Sequence, residues 1–255
     1  MRVWMKRRAD LTRKAGEVET RSVEGEGDRV AARSTPQRAS RSATQLRRSL
    51  VALYRTLAER GMNTGSSGNV SARTPAGMLI TPSGCSAETL REPDLVLLSL
   101  EGAVTAGGTP SSEWSMHAAI YAAHPHAAWI IHTHADACTA LACLNQGLPG
   151  FHYMITRFGG DDVRCAPYVT FGTRELARLA AVAIDGRTAC LLANHGMIVH
   201  GRSANDALTG AILLETLCRQ YLLARAAGAV RLLTAEEMRA AHERFKTYGS
   251  RDAVR

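Results

Sequence analysis

Two histidines one residue apart, His132 and His134, close the apolar run 128–131. On a β-strand, residues i and i+2 point to the same face, so both imidazoles can reach one ion. That arrangement suits zinc, which takes histidine nitrogens at about 2.0–2.1 Å and keeps one position open when it is catalytic. Two surface histidines are the commoner origin of such a pair, but a charge-free strand running straight into it argues against two idle rings. His195, in Asn194-His195-Gly196 after the apolar strand 189–193, offers a third ligand. Gly196 permits a sharp turn there, which would put His195 at the rim of the same sheet. Alone, His195 reads as a satisfied core histidine; three histidines at the ends of two buried strands read as a metal triad. His117, His124 and His126, on or just after a helix, and His200 and His242, in polar surroundings, receive no role.

Glu113 follows Ser111-Ser112 at a helix start. Ser112 is the expected N-cap, with Glu113 in the first turn, where an acid favours the helix dipole. The functional alternative is a carboxylate near the metal acting as general base. The small-residue turns 65–69 and 82–84, together with Ser111 and Ser112, supply N–H groups, hydroxyls and an amide that can cradle a phosphate as a nest. Ordinary turn formation is the alternative for each. None has P-loop spacing, which argues against ATP or GTP. The only lysines are Lys6, Lys14 and Lys246, the first two in the N-terminal segment, which argues against Schiff-base chemistry.

The elements that must position these groups are legible from periodicity. Leu46, Leu50, Leu53, Tyr54 and Leu57 form one helical face that ends before Gly61. Strands are expected at 70–73, 78–81, 95–100, 128–134, 189–193 and 197–200, and helices at 112–123, 136–144, 173–184, 204–227 and 235–246. Short connections without strict βαβ alternation predict an α/β fold, a single domain over 43–255 with a central, largely antiparallel sheet covered by helices.

The 255 residues, 45% hydrophobic, suffice for one large core and exclude a disulfide-stapled miniprotein. The net charge of +8 invites a nucleic-acid reading, yet residues 1–48 hold 13 of the 31 Lys+Arg and only 6 of the 23 Asp+Glu. The excess therefore divides as +7 in that segment and +1 in the remainder. Residues 1–42, without sustained apolar period, read as a disordered basic arm. Six acids argue against a transit peptide, and scattered arginines without aromatics argue against nucleic-acid contact. A start assigned too far upstream would look the same. The six cysteines form no C-x-x-C pair and read as small buried hydrophobes in a reducing compartment. Without a run of about 20 apolar residues or a signal peptide, a soluble cytoplasmic protein with no membrane partner is expected.

The runs Gly68-Asn69-Val70-Ser71-Ala72-Arg73, Met78-Leu79-Ile80-Thr81-Pro82-Ser83-Gly84, Pro110-Ser111-Ser112-Glu113-Trp114, His132-Thr133-His134, His152-Tyr153-Met154-Ile155, Cys165-Ala166-Pro167-Tyr168, Phe171-Gly172-Thr173-Arg174-Glu175-Leu176, Asn194-His195-Gly196 and Phe245-Lys246-Thr247-Tyr248-Gly249 resemble the class II aldolase/adducin family over about residues 43–250. The resemblance implies a homotetramer with active sites between subunits and one Zn2+ per subunit. His132, His134 and His195 would bind zinc, and Glu113 would act as acid/base and ligate the resting metal. Asn69, Ser83, Gly84, Ser111 and Ser112 would hold the substrate phosphate. Tyr153, from the adjacent subunit, would handle the proton at the aldehyde oxygen, and Tyr248 would sit on a C-terminal tail covering the site.

The implied reaction cleaves a 1-phosphoketose, L-fuculose 1-phosphate or a close analogue, to dihydroxyacetone phosphate and an aldehyde. A divalent Lewis acid would stabilise the enediolate charge in place of a lysine. Within the family, 4-epimerases carry an aspartate where this chain has Glu113. Aldolases or dehydratases of methylthioribulose or deoxyribulose 1-phosphates keep similar ligands and stay open. A non-catalytic adducin-like module has no need of the full ligand set.

Overall fold

The computed structural model describes residues 36–248, with side chains from residue 42; most of the expected arm lies outside them. Helix α1 (Pro36–Glu59) starts within the segment read as an arm. Pro36 opens this helix, because a first-turn residue needs no N–H partner and proline's fixed φ suits a helix. The expected stripe is its core face: Leu50, Leu53, Tyr54 and Leu57 are all buried.

The strands are β1 (Asn69–Thr74), β2 (Gly77–Ile80), β3 (Val96–Leu98), β4 (Val104–Ala106), β5 (Trp129–Thr133), β6 (Cys165–Ala166), β7 (Ala189–Leu192) and β8 (Gly196–Gly201). They form one sheet in the order β4-β3-β2-β1-β5-β8-β7-β6. Every neighbouring pair is antiparallel except β6–β7. The remaining helices are α2 (Trp114–Ala123), α3 (Asp136–Ala142), α4 (Arg174–Ala183), α5 (Ala204–Ala227) and α6 (Ala235–Thr247).

Both faces of the sheet are covered, which is why its central strands read as continuous apolar runs. Side-chain alternation sorts them into two cores. Val70, Leu79, Ile131, Leu191 and Val199 pack with α1, α3 and α5, while Ile80, Ile130, Cys190, Leu192 and Ile198 pack with α2 and α4. His132 shares the parity of Ile130, and Asn69 and Ser71 are opposite in parity to Val70. All three therefore face the α2 side. Among the described residues no helix is long and apolar enough to cross a membrane.

Two short strands carry no signal in the sequence. β4 is exposed at all three positions and β6 has only two residues, so neither shows an apolar period; pairing with a neighbour defines both. Helix α2 also starts later than expected. Glu113, not Ser112, is its N-cap, with φ −98° and ψ 13° and no side-chain capping bond. Its carboxylate is thereby free to point across the sheet.

The turn before β8 is made differently from the expectation. Asn194 takes the left-handed conformation, with φ 53°. Gly196 is required for proximity instead, since a Cβ there would run into the Thr133 carbonyl oxygen and meet His134 Cδ2 at 3.1 Å. Gly196→Ala is expected to destabilise the chain by about 1–3 kcal/mol through overpacking. Thermal unfolding should show a clear fall in Tm, and an unchanged Tm would contradict this packing.

Candidate active site

His132 sits on β5 between Asn69 of β1 and Ile198 of β8 as cross-strand partners. The central position of β5 buries it completely. His134 follows at the strand end, and His195 comes from the β7–β8 turn. The three rings meet edge to face, with centroids 4.8–4.9 Å apart and interplanar angles of 69–74°. Nε2 of His132 lies 3.0 Å from Nε2 of His134. Glu113 closes the group from α2: Oε2 is 3.0 Å from His132 Nε2, and Oε1 is 3.3 Å from His195 Nε2. One ligand atom from each of the four residues lies within 4.8 Å of the others.

These residues fit a divalent cation on observations internal to the site. Glu113 Oε1 is buried without a hydrogen-bond partner, although His195 Nε2 lies 3.3 Å away. His132 Nδ1 is 2.9 Å from the Met197 carbonyl oxygen. That contact fixes the proton on Nδ1 when the ring is neutral, leaving the Nε2 lone pair aimed into the cluster, as outer-shell partners of metal ligands do. Burial and then the His132 charge push His134 and His195 down to about 4, so both are neutral at pH 7, the state that ligates.

The acid and His132 supply each other's counter-charge. Burial raises the Glu113 carboxyl, but His132, His195 and Asn69 together hold it well below the usual carboxylate range. Burial likewise pulls the His132 ring down, and Glu113 and the Met197 carbonyl bring it above its ordinary value.

A cavity of about 320 Å³ opens on this cluster, lined by Asn69, Ser83, Gly84, Ser111, Ser112, Glu113, His134 and His195. All five residues expected at the phosphate thus share one cavity with three of the four expected ligands, and His132 lies behind them. The turns are zipped together: Ser111 N donates to the Thr81 carbonyl at 3.1 Å and Ser83 N to the Thr109 carbonyl at 3.0 Å. Among the described residues no lysine or arginine lines the cavity. An anion entering here would meet neutral donors and whatever cation the four-residue cluster held.

Tyr153 and Tyr248 do not line it. They stand 52% and 74% exposed and, with Phe245, line a separate groove of about 410 Å³. Tyr153 stacks on Phe245 at 5.9 Å, and Phe245 meets Tyr248 edge to face at 5.7 Å.

Four further contributors receive no role in the sequence reading. Tyr168, Val169 and Phe171 also line the cavity. His117, expected to have no role, is fully buried, with Nε2 2.5 Å from Asn69 Oδ1. Its spacing of four from Glu113 on one helix face is the signal that points to it.

The chain belongs to the class II aldolase and adducin N-terminal domain family, whose model matches residues 48–222. It is 44% identical over 208 residues to the 5-methylthioribulose-1-phosphate/5-deoxyribulose-1-phosphate aldolase of Rhodospirillum rubrum, covering 82% of this chain and 94% of that relative. It is 44% identical over 192 residues to the L-fuculose phosphate aldolase of Escherichia coli K12, covering 75% and 89%. A solved L-fuculose 1-phosphate aldolase superposes with a TM-score of 0.76 at 38% identity, covering 79% and 96%. The activity class is accordingly that of an aldehyde-lyase.

Metal titration of the chelator-stripped protein is expected to saturate near one divalent ion per chain. His195→Ala should weaken that binding at least about 10-fold; unaltered affinity in the variant would remove His195 from the ligand set.

Proposed function

We propose that the chain is a zinc-dependent aldolase that cleaves a 1-phosphoketose to dihydroxyacetone phosphate and an aldehyde. The observation that carries this reading is the convergence of three imidazoles and one buried carboxylate on a cavity of neutral anion donors. His132, His134 and His195 would hold the ion with Glu113, and the ion would supply Lewis-acid stabilisation of negative charge at the substrate oxygens.

The chain's own groups divide the remaining work. Asn69, Ser83, Gly84, Ser111 and Ser112 bind the phosphate and fix the ketose end. The C3–C4 bond breaks with its electron pair left on C3, while the C4 hydroxyl proton passes to Tyr153 of an adjacent subunit. Glu113 takes up a proton from solvent on Oε1, the oxygen that no donor occupies, and delivers it to C3, while the proton taken by Tyr153 returns to solvent. Run in reverse, the same oxygen takes that proton from dihydroxyacetone phosphate.

The exposed Tyr153–Phe245–Tyr248 cluster supports the intersubunit arrangement. These aromatics are unused by the chain's own cavity and fit a homotetramer in which they reach a neighbour's site.

L-fuculose 1-phosphate is one substrate, and the Rhodospirillum rubrum relative supports 5-deoxyribulose and 5-methylthioribulose 1-phosphates as alternatives. All three release aldehydes ending in an apolar methyl or methylthio group. Tyr168, Val169 and Phe171 offer the cavity surface for such an end.

In a coupled assay for dihydroxyacetone phosphate, at least one of these three substrates should turn over, with about one zinc per chain in the active protein. Glu113→Gln should lower kcat by roughly 10²–10⁴-fold. Turnover without a three-carbon phosphate product would replace the aldolase with a dehydratase or epimerase. Metal-free protein without metal-dependent turnover would remove the enzyme reading altogether.

A further inference from the structure

We propose that His117 is a positioning residue for the active-site carboxylate. Backed by Ser71 and Tyr121, it locks the Asn69 amide in the one orientation that donates to both Glu113 and the substrate phosphate. The phosphate half of this statement rests on the function proposed above.

The two ends of an asparagine amide have nearly the same shape, so hydrogen-bond partners decide which end faces where. The ionised carboxylate of Glu113 can only accept. Asn69 Nδ2 must therefore face its Oε2, at 3.0 Å, and Asn69 Oδ1 must face His117 Nε2, at 2.5 Å. An amide oxygen cannot donate, so His117 carries a proton on Nε2.

The ring is completely buried, and burial with the nearby His132 charge pushes it down to about 3. It is neutral at pH 7 with its single proton on Nε2, and Nδ1 must accept. The Ser71 hydroxyl, 2.7 Å away, donates to it. Ser71 Oγ in turn accepts from the Tyr121 hydroxyl at 2.9 Å. The donors from Ser71 to Asn69 thus all point toward Glu113, and the Tyr121 hydroxyl, whose other acceptor is the Ala128 carbonyl at 3.4 Å, backs Ser71.

The backbone places this chain of groups as it places the site. Asn69 and Ser71 are i and i+2 on β1, while His117 and Tyr121 follow Glu113 at i+4 and i+8 on one face of α2. Deleting the Nε2 donor frees the amide to turn over. Its carbonyl would then oppose both the Glu113 carboxylate and the phosphate, an arrangement of acceptors against acceptors. In the locked orientation Oε2 stays engaged, and Oε1 remains the oxygen available to the substrate proton.

The test has two independent arms. In long-range proton–nitrogen spectra of the metal-loaded, histidine-labelled wild type, His117 should be neutral and protonated on Nε2. A proton on Nδ1, or a charged ring at neutral pH, overturns the proposal without reference to activity or to any variant's folding. In the second arm, His117→Leu removes the donor, whereas the Nε2 of His117→Gln reaches the same place and can donate. His117→Leu should keep its metal content but lose roughly 10- to 100-fold in kcat/KM and in affinity for inorganic phosphate. His117→Gln should stay within about fivefold of wild type in both. A metal-loaded Leu variant with wild-type phosphate affinity, or a Gln variant as impaired as Leu, overturns the proposal as surely. Wild type that cleaves no 1-phosphoketose would sink the proposed function instead, while the tautomer and the phosphate titration still decide the role of His117.

Discussion

A carboxylate almost wholly removed from water requires positive or donating partners on each side that water has left, and Glu113 sets that requirement here. Unpaired, such a group costs several kcal/mol. The protein meets the demand with His132 and Asn69 on Oε2 and leaves Oε1 without a donor. One oxygen is held and the other is free to act. A divalent cation and a substrate proton are the natural partners of the free one, so the electrostatics of the site and its chemistry are the same fact.

Three adjacent antiparallel strands make the arrangement repeatable. Cross-strand pairing of Asn69 with His132, and of His132 with Ile198, fixes which side chains share the α2 face. A slip of one residue in either register would send His132 to the opposite core. Helix α2 then completes the site from one turn: Glu113 at its cap reaches the imidazoles, and His117 four residues on reaches the asparagine beside them. Because no lysine or arginine among the described residues lines the cavity, a cation held by the cluster would be the dominant positive charge there. Binding of metal and of a phosphorylated substrate are therefore expected to be coupled.

Much of this arrangement is legible in the order of the amino acids. The H-x-H pair is readable because strand parity is a local property and the run that leads into it is apolar enough to be buried. His195 is readable because another buried strand ends beside it. The small-residue turns are recognisable as nests, though only the bridge between residues 82 and 110 brings Ser83 and Ser111 to one cavity. His117 is not readable in this way, since a histidine on a mostly apolar helix gives no sign of its partner. The pairing with Asn69 exists only once α2 lies across β1. Glu113 stands out for its place at a helix start, but the first-turn setting expected there gives way to a cap position from which it serves the histidines.

What the sequence by itself determined is the list of reactive groups and the elements that carry them, because periodicity, strand parity and helix spacing act over a few residues. Tertiary structure decided which oxygen of Glu113 is held, which way the Asn69 amide faces, and that Tyr153 and Tyr248 lie outside the chain's own cavity. Those outcomes depend on desolvation and on hydrogen-bond direction between groups 44 residues apart, such as Asn69 and Glu113. Neither quantity exists until the two core faces close around the sheet.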